Sequence, residues 1–271
     1  MNHLVSFSKM LVAIDGSMYS DYALNIALKI AEKYSSKLDL MHVVIPSHEQ
    51  KEDVLGERME ISKERKLTPT AIKVESNDPS SEILKLTDGG AYDLVVMGSR
   101  GLSGLKSALM GSVSSKVAKE AKCSVLVVKT RISATPKILL GYDGSEESKK
   151  ALEVATDLGS KLKARVDALS IFSIPVSPEA YVGVELDKWE RDMRNELGEA
   201  VEKIKSRGVS SQGKIIEHTN VPLAIVSEAE RGSYDLIVVG SRGMGRLQSL
   251  FLGSVASGIA NNSKTNVLIA R

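Results

Sequence analysis

The sequence predicts an α/β fold made of two copies of a doubly wound, five-stranded parallel sheet with helices on both faces. Three observations predict it. Short β-branched runs, apolar on both faces, alternate with stretches of helical period, the pattern of parallel strands covered from each side. That pattern is written twice: residues 9–17 (KMLVAIDGS) return at 137–145 (KILLGYDGS), and 92–101 (YDLVVMGSRG) return at 234–243 (YDLIVVGSRG). The length, 271 residues, suits two ordinary domains or one large barrel, and a repeat this long decides for two domains.

In the first copy the strand runs are Met10–Ile14, Leu38–Val44, Ala71–Val74, Leu94–Met97 and Val125–Val128. Between the first two, Ala23, Ile26, Ala27, Ile30, Ala31 and Tyr34 recur at the spacing of one helical face. The charged segment Glu49–Lys66 reads as a helix with a solvated face. In the second copy the strands are Ile138–Tyr142, Val166–Phe172, Lys214–Ile216, Leu236–Val239 and Val267–Ala270. The copies are offset by 128 positions at the first motif and by 142 at the later ones, so the second carries extra residues between them. These lengthen a helix whose apolar stripe is Leu186, Trp189, Met193, Leu197, Val201 and Ile204, read as core or subunit packing. The polar stretch Thr130–Pro136 ends in proline and separates the copies. The expected organisation is a domain at 1–130, a linker at 131–136 and a domain at 137–271.

Composition removes several function classes. Basic residues number 36 and acidic ones 34, with no basic block or stripe, which argues against nucleic acid as the main partner. The single cysteine, Cys123, excludes an intrachain disulfide framework and a CxxC site, and reads as a small buried hydrophobe. His3, His42, His48 and His218 show no metal-ligand spacing. The opening residues lack a basic segment followed by a long apolar one, and no apolar run reaches the roughly 20 residues of a membrane span. The expectation is a cytoplasmic protein without membrane or metal sites of its own.

Chemistry concentrates after the first and fourth strands of each copy, where open parallel sheets bind ligands. Asp15-Gly16-Ser17 and Asp143-Gly144-Ser145 follow the first strands. After the fourth strands comes G-x2-G-x9-G-S: Gly98, Gly101, Gly111 and Ser112, then Gly240, Gly243, Gly253 and Ser254. Glycines let backbone amides approach phosphate oxygens, and a helix opening at Gly111-Ser112-Val113 or Gly253-Ser254-Val255 offers free N–H groups and a positive dipole end. Ser112 adds a hydroxyl donor, or a magnesium-shell group through water. Neither copy has the GxxxxGK[ST] of a P-loop, and a dinucleotide fingerprint would place its glycines at the first strand–helix turn rather than after the fourth strand. The bland alternative is that single glycines mark turns and that Asp15 or Ser17 only caps a helix. Recurrence of the joint spacing in both copies favours nucleotide binding.

On these residues the chain resembles a tandem universal stress protein of the ATP-binding kind, one family domain per half. The resemblance rests on [ILV]-x-Asp-Gly-Ser, on Tyr-Asp-Leu-[IV]-Val-x-Gly-Ser-Arg-Gly and on the spaced glycines. It implies strand order 3-2-1-4-5, a last strand near the dimerisation edge, and ATP between strands one and four. It implies that Asp15 and the main chain of Val43 hold the adenine side, Gly98 and Gly101 line ribose and phosphates, and Gly111, Ser112 and Val113 bind the β- and γ-phosphates. The second site would use Asp143, Ile171, Gly240, Gly243, Gly253, Ser254 and Val255. Magnesium would accompany the phosphates, the halves would pack as a pseudo-dimer, and two chains would pair as a homodimer. The sequence departs from the family in lacking proline before the last strands (Cys123-Ser124, Thr265-Asn266), and in Val221, which stands where the first copy has Asp78. Arg100 and Arg242 sit beside the phosphates in sequence, either pairing with them or solvated. His42 has Ser170 as its counterpart, which removes a shared catalytic role. No base that would position a water is evident. The function expected is ATP-dependent regulation; slow ATP hydrolysis, phosphate or adenylyl transfer, and a nucleotide-free interaction module are the alternatives.

Overall fold

The computed structural model describes residues 7–46, 53–101, 110–173, 186–243 and 252–271. The first half runs β1 (Lys9–Ala13), α1 (Met18–Tyr34), β2 (Lys37–Val44), α2 (Gly56–Glu64), β3 (Thr70–Glu75), α3 (Pro79–Asp88), β4 (Leu94–Gly98), α4 (Ser112–Glu120) and β5 (Ser124–Val128). The second runs β6 (Lys137–Gly141), α5 (Glu146–Leu162), β7 (Arg165–Phe172), α6 (Leu186–Ser206), β8 (Gly213–Glu217), α7 (Val221–Arg231), β9 (Leu236–Gly240), α8 (Ser254–Asn262) and β10 (Asn266–Ala270). Each of the ten apolar runs read from the sequence is a strand, its ends moved by no more than one residue.

Both halves have the order 3-2-1-4-5, but they do not form separate sheets. The order β3-β2-β1-β4-β5-β10-β9-β6-β7-β8 makes one ten-stranded sheet. Strands within each half are parallel, and β5 meets β10 antiparallel, with Val127 opposite Val267, Leu126 opposite Leu268 and Val125 opposite Ile269. The edge that the family resemblance assigns to dimerisation is therefore used within the chain. All six side chains are buried, because helices cover both faces here. On one face α1, α2, α5 and α6 pack over a core that includes Leu126 and Leu268. On the other, α3, α4, α7 and α8 pack over Val125, Val127, Val267 and Ile269. A polar contact ties α1 to α5 across the halves: the Tyr34 hydroxyl donates to Asp157 Oδ2 at 2.5 Å. Burial, then the neighbouring Asp157 carboxylate, pushes the Tyr34 hydroxyl far above its ordinary range and keeps it a donor.

The segment joining the halves is docked. Ile132 packs on the core, and the Ser133 amide and hydroxyl donate to the Asp235 carboxylate at 2.8 and 3.0 Å. The described part of Glu49–Lys66 is also less solvated than its charge suggests. Arg58 is buried and paired with Asp21 on α1 at 2.8 Å, and Ser62 is buried beside it. The guanidinium can be buried because a carboxylate and the Val54 carbonyl satisfy it.

Leu268→Ala should lower stability by about 2–5 kcal/mol, the cost of emptying a fully buried leucine site. Urea denaturation followed by circular dichroism measures the loss. Because the core crosses the seam, the variant should still unfold in one transition with both halves lost together.

Candidate functional site

Strand β6 lies between β7 and β9, so the chain leaves it with neighbours on opposite sides and a crevice opens at its carboxyl end. Into that crevice come the Tyr142–Ser145 turn, the Ser241–Gly243 loop after β9, and the start of α8. The result is a cleft of about 720 Å³, within the usual range of small-molecule sites. Asp143, Ile171, Gly240, Gly243, Gly253, Ser254 and Val255, the seven residues read from the second copy, all line it.

Local geometry explains the Asp-Gly-Ser turn. Gly16 and Gly144 have φ of +80° and +79°, a left-handed conformation that favours glycine. The turn delivers Ser17 and Ser145 as N-caps of α1 and α5, each accepting an amide three residues on, from Ser20 and Ser148, at 3.2 Å. One oxygen of each aspartate is spent locally: Oδ1 of Asp15 accepts from the Ser17 amide at 3.0 Å, and Oδ1 of Asp143 from the Ser145 amide at 3.1 Å. The other faces the glycine loop, where a Cβ on Gly101 would fall 2.5 Å from Asp15 Oδ2 and one on Gly243 2.7 Å from Asp143 Oδ2. The cap reading is met by Ser17 and Ser145, while Oδ2 of each aspartate is turned toward the glycine loop.

The remaining glycines divide by role. A Cβ on Gly98 would meet Tyr19 and Ser20 backbone atoms at 2.8 and 2.9 Å, and one on Gly240 would meet Glu147 at 2.6 Å. These positions are glycine because the first turn of α1 or α5 rests on the strand end. Gly111 and Gly253 do not offer the free amides expected from the sequence, since their N–H groups donate to the Ser99 and Ser241 carbonyls at 2.7 and 2.8 Å. The amides on offer begin one residue later, at Ser112 and Ser254. Helices α1, α3, α5 and α7 are capped by Ser17, Asp78, Ser145 and Asn220, whereas α4 and α8 open at glycine with no side-chain cap. Among the described residues, no side chain caps their first-turn N–H groups, which are left for another acceptor.

Two residues with no shared chemistry do the same positioning work. His42 Nδ1 lies 2.7 Å from the Ile14 carbonyl, and the Ser170 hydroxyl donates to the Tyr142 carbonyl at 2.8 Å. Each holds the second strand of its half to the residue just before Asp15 or Asp143. Val43 and Ile171 follow them and pack partly buried on the face that carries α4 and α8, as do Val113 and Val255. Arg242 pairs with Glu147 at 3.0 Å, while the Arg100 guanidinium lies 5.3 Å from the Tyr19 ring centroid. The nine-residue interval between the second and third glycines falls mostly outside the described residues.

The halves differ in what covers the turn. In the first, Val54 would lie 3.6 Å from a Cβ on Gly16; in the second, Glu196 Oε2 would lie 2.3 Å from one on Gly144. Helix α6 supplies Trp189, Asp192, Met193 and Glu196 to the cleft, with Trp189 packed on Phe172 at 5.0 Å between ring centroids. The stripe read as packing therefore splits: Leu197, Val201 and Ile204 are core, Trp189 and Met193 face the cleft, and the Leu186 side chain lies outside the described ones. Its spacing gave no sign of the change, since a helix that overhangs a sheet keeps one apolar stripe throughout. Val221 also lines the cleft. Burial, and next the Glu196 carboxylate, raises the Tyr142 hydroxyl above its ordinary value, so it remains a neutral donor at the cleft wall. Among the described residues, no group of three or more His, Cys, Asp or Glu is arranged to hold a metal ion, and no helix is long and apolar enough to cross a membrane.

The model of the universal stress protein family matches the chain twice, over residues 6–129 and 135–271. The chain belongs to the universal stress protein family. It is a tandem member, and curated relatives share that arrangement. The universal stress protein Rv2005c of Mycobacterium tuberculosis is 24% identical over 295 residues, covering 96% of each chain. The universal stress protein YxiE of Bacillus subtilis is 34% identical over 147 residues, 45% of this chain and 99% of that protein. Among solved structures, a universal stress protein from Archaeoglobus fulgidus superposes with a TM-score of 0.68 at 23% identity, covering 98% and 97% of the two chains. A protein of unknown function from Pseudomonas aeruginosa, PA1789, gives 0.76 at 19% identity over 100% of this chain and 94% of that one. These likenesses establish the universal stress fold.

Gly240→Ala should destabilise the protein by about 1–3 kcal/mol with or without ligand, because the added methyl meets backbone atoms of α5. Thermal denaturation of the ligand-free protein measures it.

Proposed function

We propose that each half binds an adenine nucleotide, ATP, between its first and fourth strands, and that the chain is a stress-response regulatory protein that reads nucleotide occupancy. The observation that carries this reading is the second-half cleft. Seven residues chosen for phosphate and adenosine chemistry line one cavity of about 720 Å³, together with the uncapped start of α8. Asp143 and the main chain of Ile171 take the adenine side, and Gly240 and Gly243 run along ribose and phosphates. The amides of Ser254 and Val255 bind the β- and γ-phosphates, with Gly253 shaping their approach. The first site uses Asp15, Val43, Gly98, Gly101, Gly111, Ser112 and Val113 in the same roles. Trp189 supplies an aromatic surface for the base in the second site.

The cleft walls also argue for a counter-cation. Asp143, Asp192 and Glu196 line the same cavity, and their carboxylates would repel a bare triphosphate. Magnesium travelling with the phosphates supplies the missing positive charge, and phosphates and water hold it rather than a dedicated protein cage.

The division into domains at 1–130 and 137–271 with a linker at 131–136 belongs to the same proposal, as does a cytoplasmic location, supported by the single cysteine. Pairing of two chains as a homodimer must use a surface other than β5 and β10, because each already pairs with the other inside the chain.

Two measurements test the proposal. Acid denaturation of the purified protein should release adenine nucleotide, or added Mg-ATP should change the fluorescence of Trp189, the chain's one tryptophan. Gly253→Val and Asp143→Ala should each weaken the tryptophan-detected affinity by about tenfold or more, the scale of losing one charge-assisted or several amide contacts. No released nucleotide and no response to Mg-ATP would overturn the reading in favour of an interaction module. Turnover of labelled ATP that survives purification and is lost in Gly111→Val would instead make the protein an enzyme.

A further inference from the structure

The ends of β5 and β10 carry a reciprocal exchange of cations between the halves. Lys129 follows β5, is 8% exposed, and sends its Nζ across the seam to the carbonyls of Ala260 and Ser263, each at 2.5 Å. These are the last turn and C-cap of α8. Arg271 follows β10 and does the same in the other direction, donating to the Ala118 carbonyl in the last turn of α4 at 2.5 Å and to the Cys123 carbonyl just before β5 at 3.1 Å. Lys129 and Arg271 occupy the same repeat position, as do Ala118 and Ala260. A cation at a helix C-terminus satisfies carbonyls that the helix cannot and complements its negative end.

Each cation is also wired to the glycine loop of its own half. The Gly111 amide donates to the Ser99 carbonyl at 2.7 Å, and the Ser99 amide donates to the Val128 carbonyl at 2.7 Å, one residue before Lys129. The Gly253 amide donates to the Ser241 carbonyl at 2.8 Å, and the Ser241 amide to the Ala270 carbonyl at 3.0 Å, one residue before Arg271. Following the contacts gives a closed ring. It runs from the start of α4 through Ser99 and Lys129 to the end of α8, along α8 to Gly253, then through Ser241 and Arg271 back to the end of α4.

Side contacts brace the same ring. The Lys129 and Thr130 amides donate to Asn266 Oδ1 at 2.8 and 3.1 Å, and the Arg271 amide donates to the Ser124 hydroxyl at 3.3 Å. Burial, helped by the nearby Arg100 guanidinium, pulls the Lys129 ammonium down to about 8, which leaves it protonated at neutral pH.

We propose that Lys129 and Arg271 are positioning residues that couple the two nucleotide sites, each holding the far end of the helix whose near end faces the phosphates in the opposite half. The inference rests on the nucleotide-binding reading above. A helix is stiff along its axis, so a ligand that draws the start of α8 toward its phosphates loads the contacts at its other end. Those contacts belong to Lys129, whose preceding residue, Val128, is bonded through Ser99 to the loop of the first site. Coupling needs differential contacts in two places, and the ring connects the two places where a nucleotide would make them.

Trp189 makes the test local, because it lines the second cleft alone while Lys129 belongs to the first half. Mg-ATP is titrated into the full chain, wild type and variants, with tryptophan fluorescence as the readout. Lys129→Met should weaken second-site affinity by about fivefold or more, the low end of ordinary coupling, and Lys129→Arg should restore it. Lys129→Gln, which retains an N–H donor without charge, should fall between them and serves if Lys129→Met does not fold. Equal affinity in the wild type and a folded Lys129→Met or Lys129→Gln would overturn the coupling and leave the nucleotide reading intact. A loss that Lys129→Arg fails to restore would overturn it as well, marking Lys129 as packing alone. A wild type that gives no response would overturn the nucleotide reading itself, and the coupling with it.

Discussion

Val127 with Val267, Leu126 with Leu268 and Val125 with Ile269 form the antiparallel centre of the sheet, and most of the molecule's organisation follows from burying them. Each aliphatic side chain removed from water there contributes roughly 1.5–3 kcal/mol. Left unpaired, β5 and β10 would be open edges of apolar strands, the kind of surface that recruits other chains. Joined to each other, they make two parallel half-sheets into one and let both hydrophobic layers run from one half into the other. The antiparallel sense of this one pairing relates the halves by an approximate twofold rotation. That rotation brings the end of each last strand against the far half's last helix.

The candidate sites inherit their form from the same arrangement. A parallel strand order with a switch point leaves a crevice at the carboxyl ends whatever the sequence there. This chain then shapes the crevice with three kinds of glycine. Gly16 and Gly144 permit a left-handed turn, Gly98 and Gly240 let a helix rest on a strand end, and Gly111 and Gly253 begin helices without a side-chain cap. Only the last kind leaves backbone donors for a ligand, although all three recur together in both copies. The halves share this machinery but not its cover, which is apolar Val54 over the first turn and acidic Glu196 over the second.

All ten strands and the helices α1 and α6 were legible, because strands buried on both faces and helices with one apolar face leave local periodicities in the chain. The site loops were legible for a related reason: glycine, aspartate and serine at strand ends respond to backbone conformation within a few residues. What escaped was whatever depends on a distant partner. Trp189 lay in the same stripe as Leu197 and Ile204, and only the overhang of α6 beyond the sheet separates a cleft wall from a core residue. Arg58 read as part of a solvated charged run, and its burial depends on Asp21 of α1. Lys129 carries no local signal of its role, because the carbonyls that it reaches, Ala260 and Ser263, lie more than 130 residues away.

The sequence by itself determined that this protein is a tandem universal stress protein, with two α/β halves, their strands and the residues clustered at the carboxyl ends of those strands. These are matters of short-range pattern and of a repeat visible at offsets of 128 and 142 residues. Tertiary structure alone decided that the halves share one sheet, that the Gly111 and Gly253 amides are spent, and that Lys129 and Arg271 each reach into the other half. The reason is physical: hydrogen-bond partners of buried groups are set by which surfaces meet in space. Here the surfaces that meet come from the end of one repeat and the end of the other.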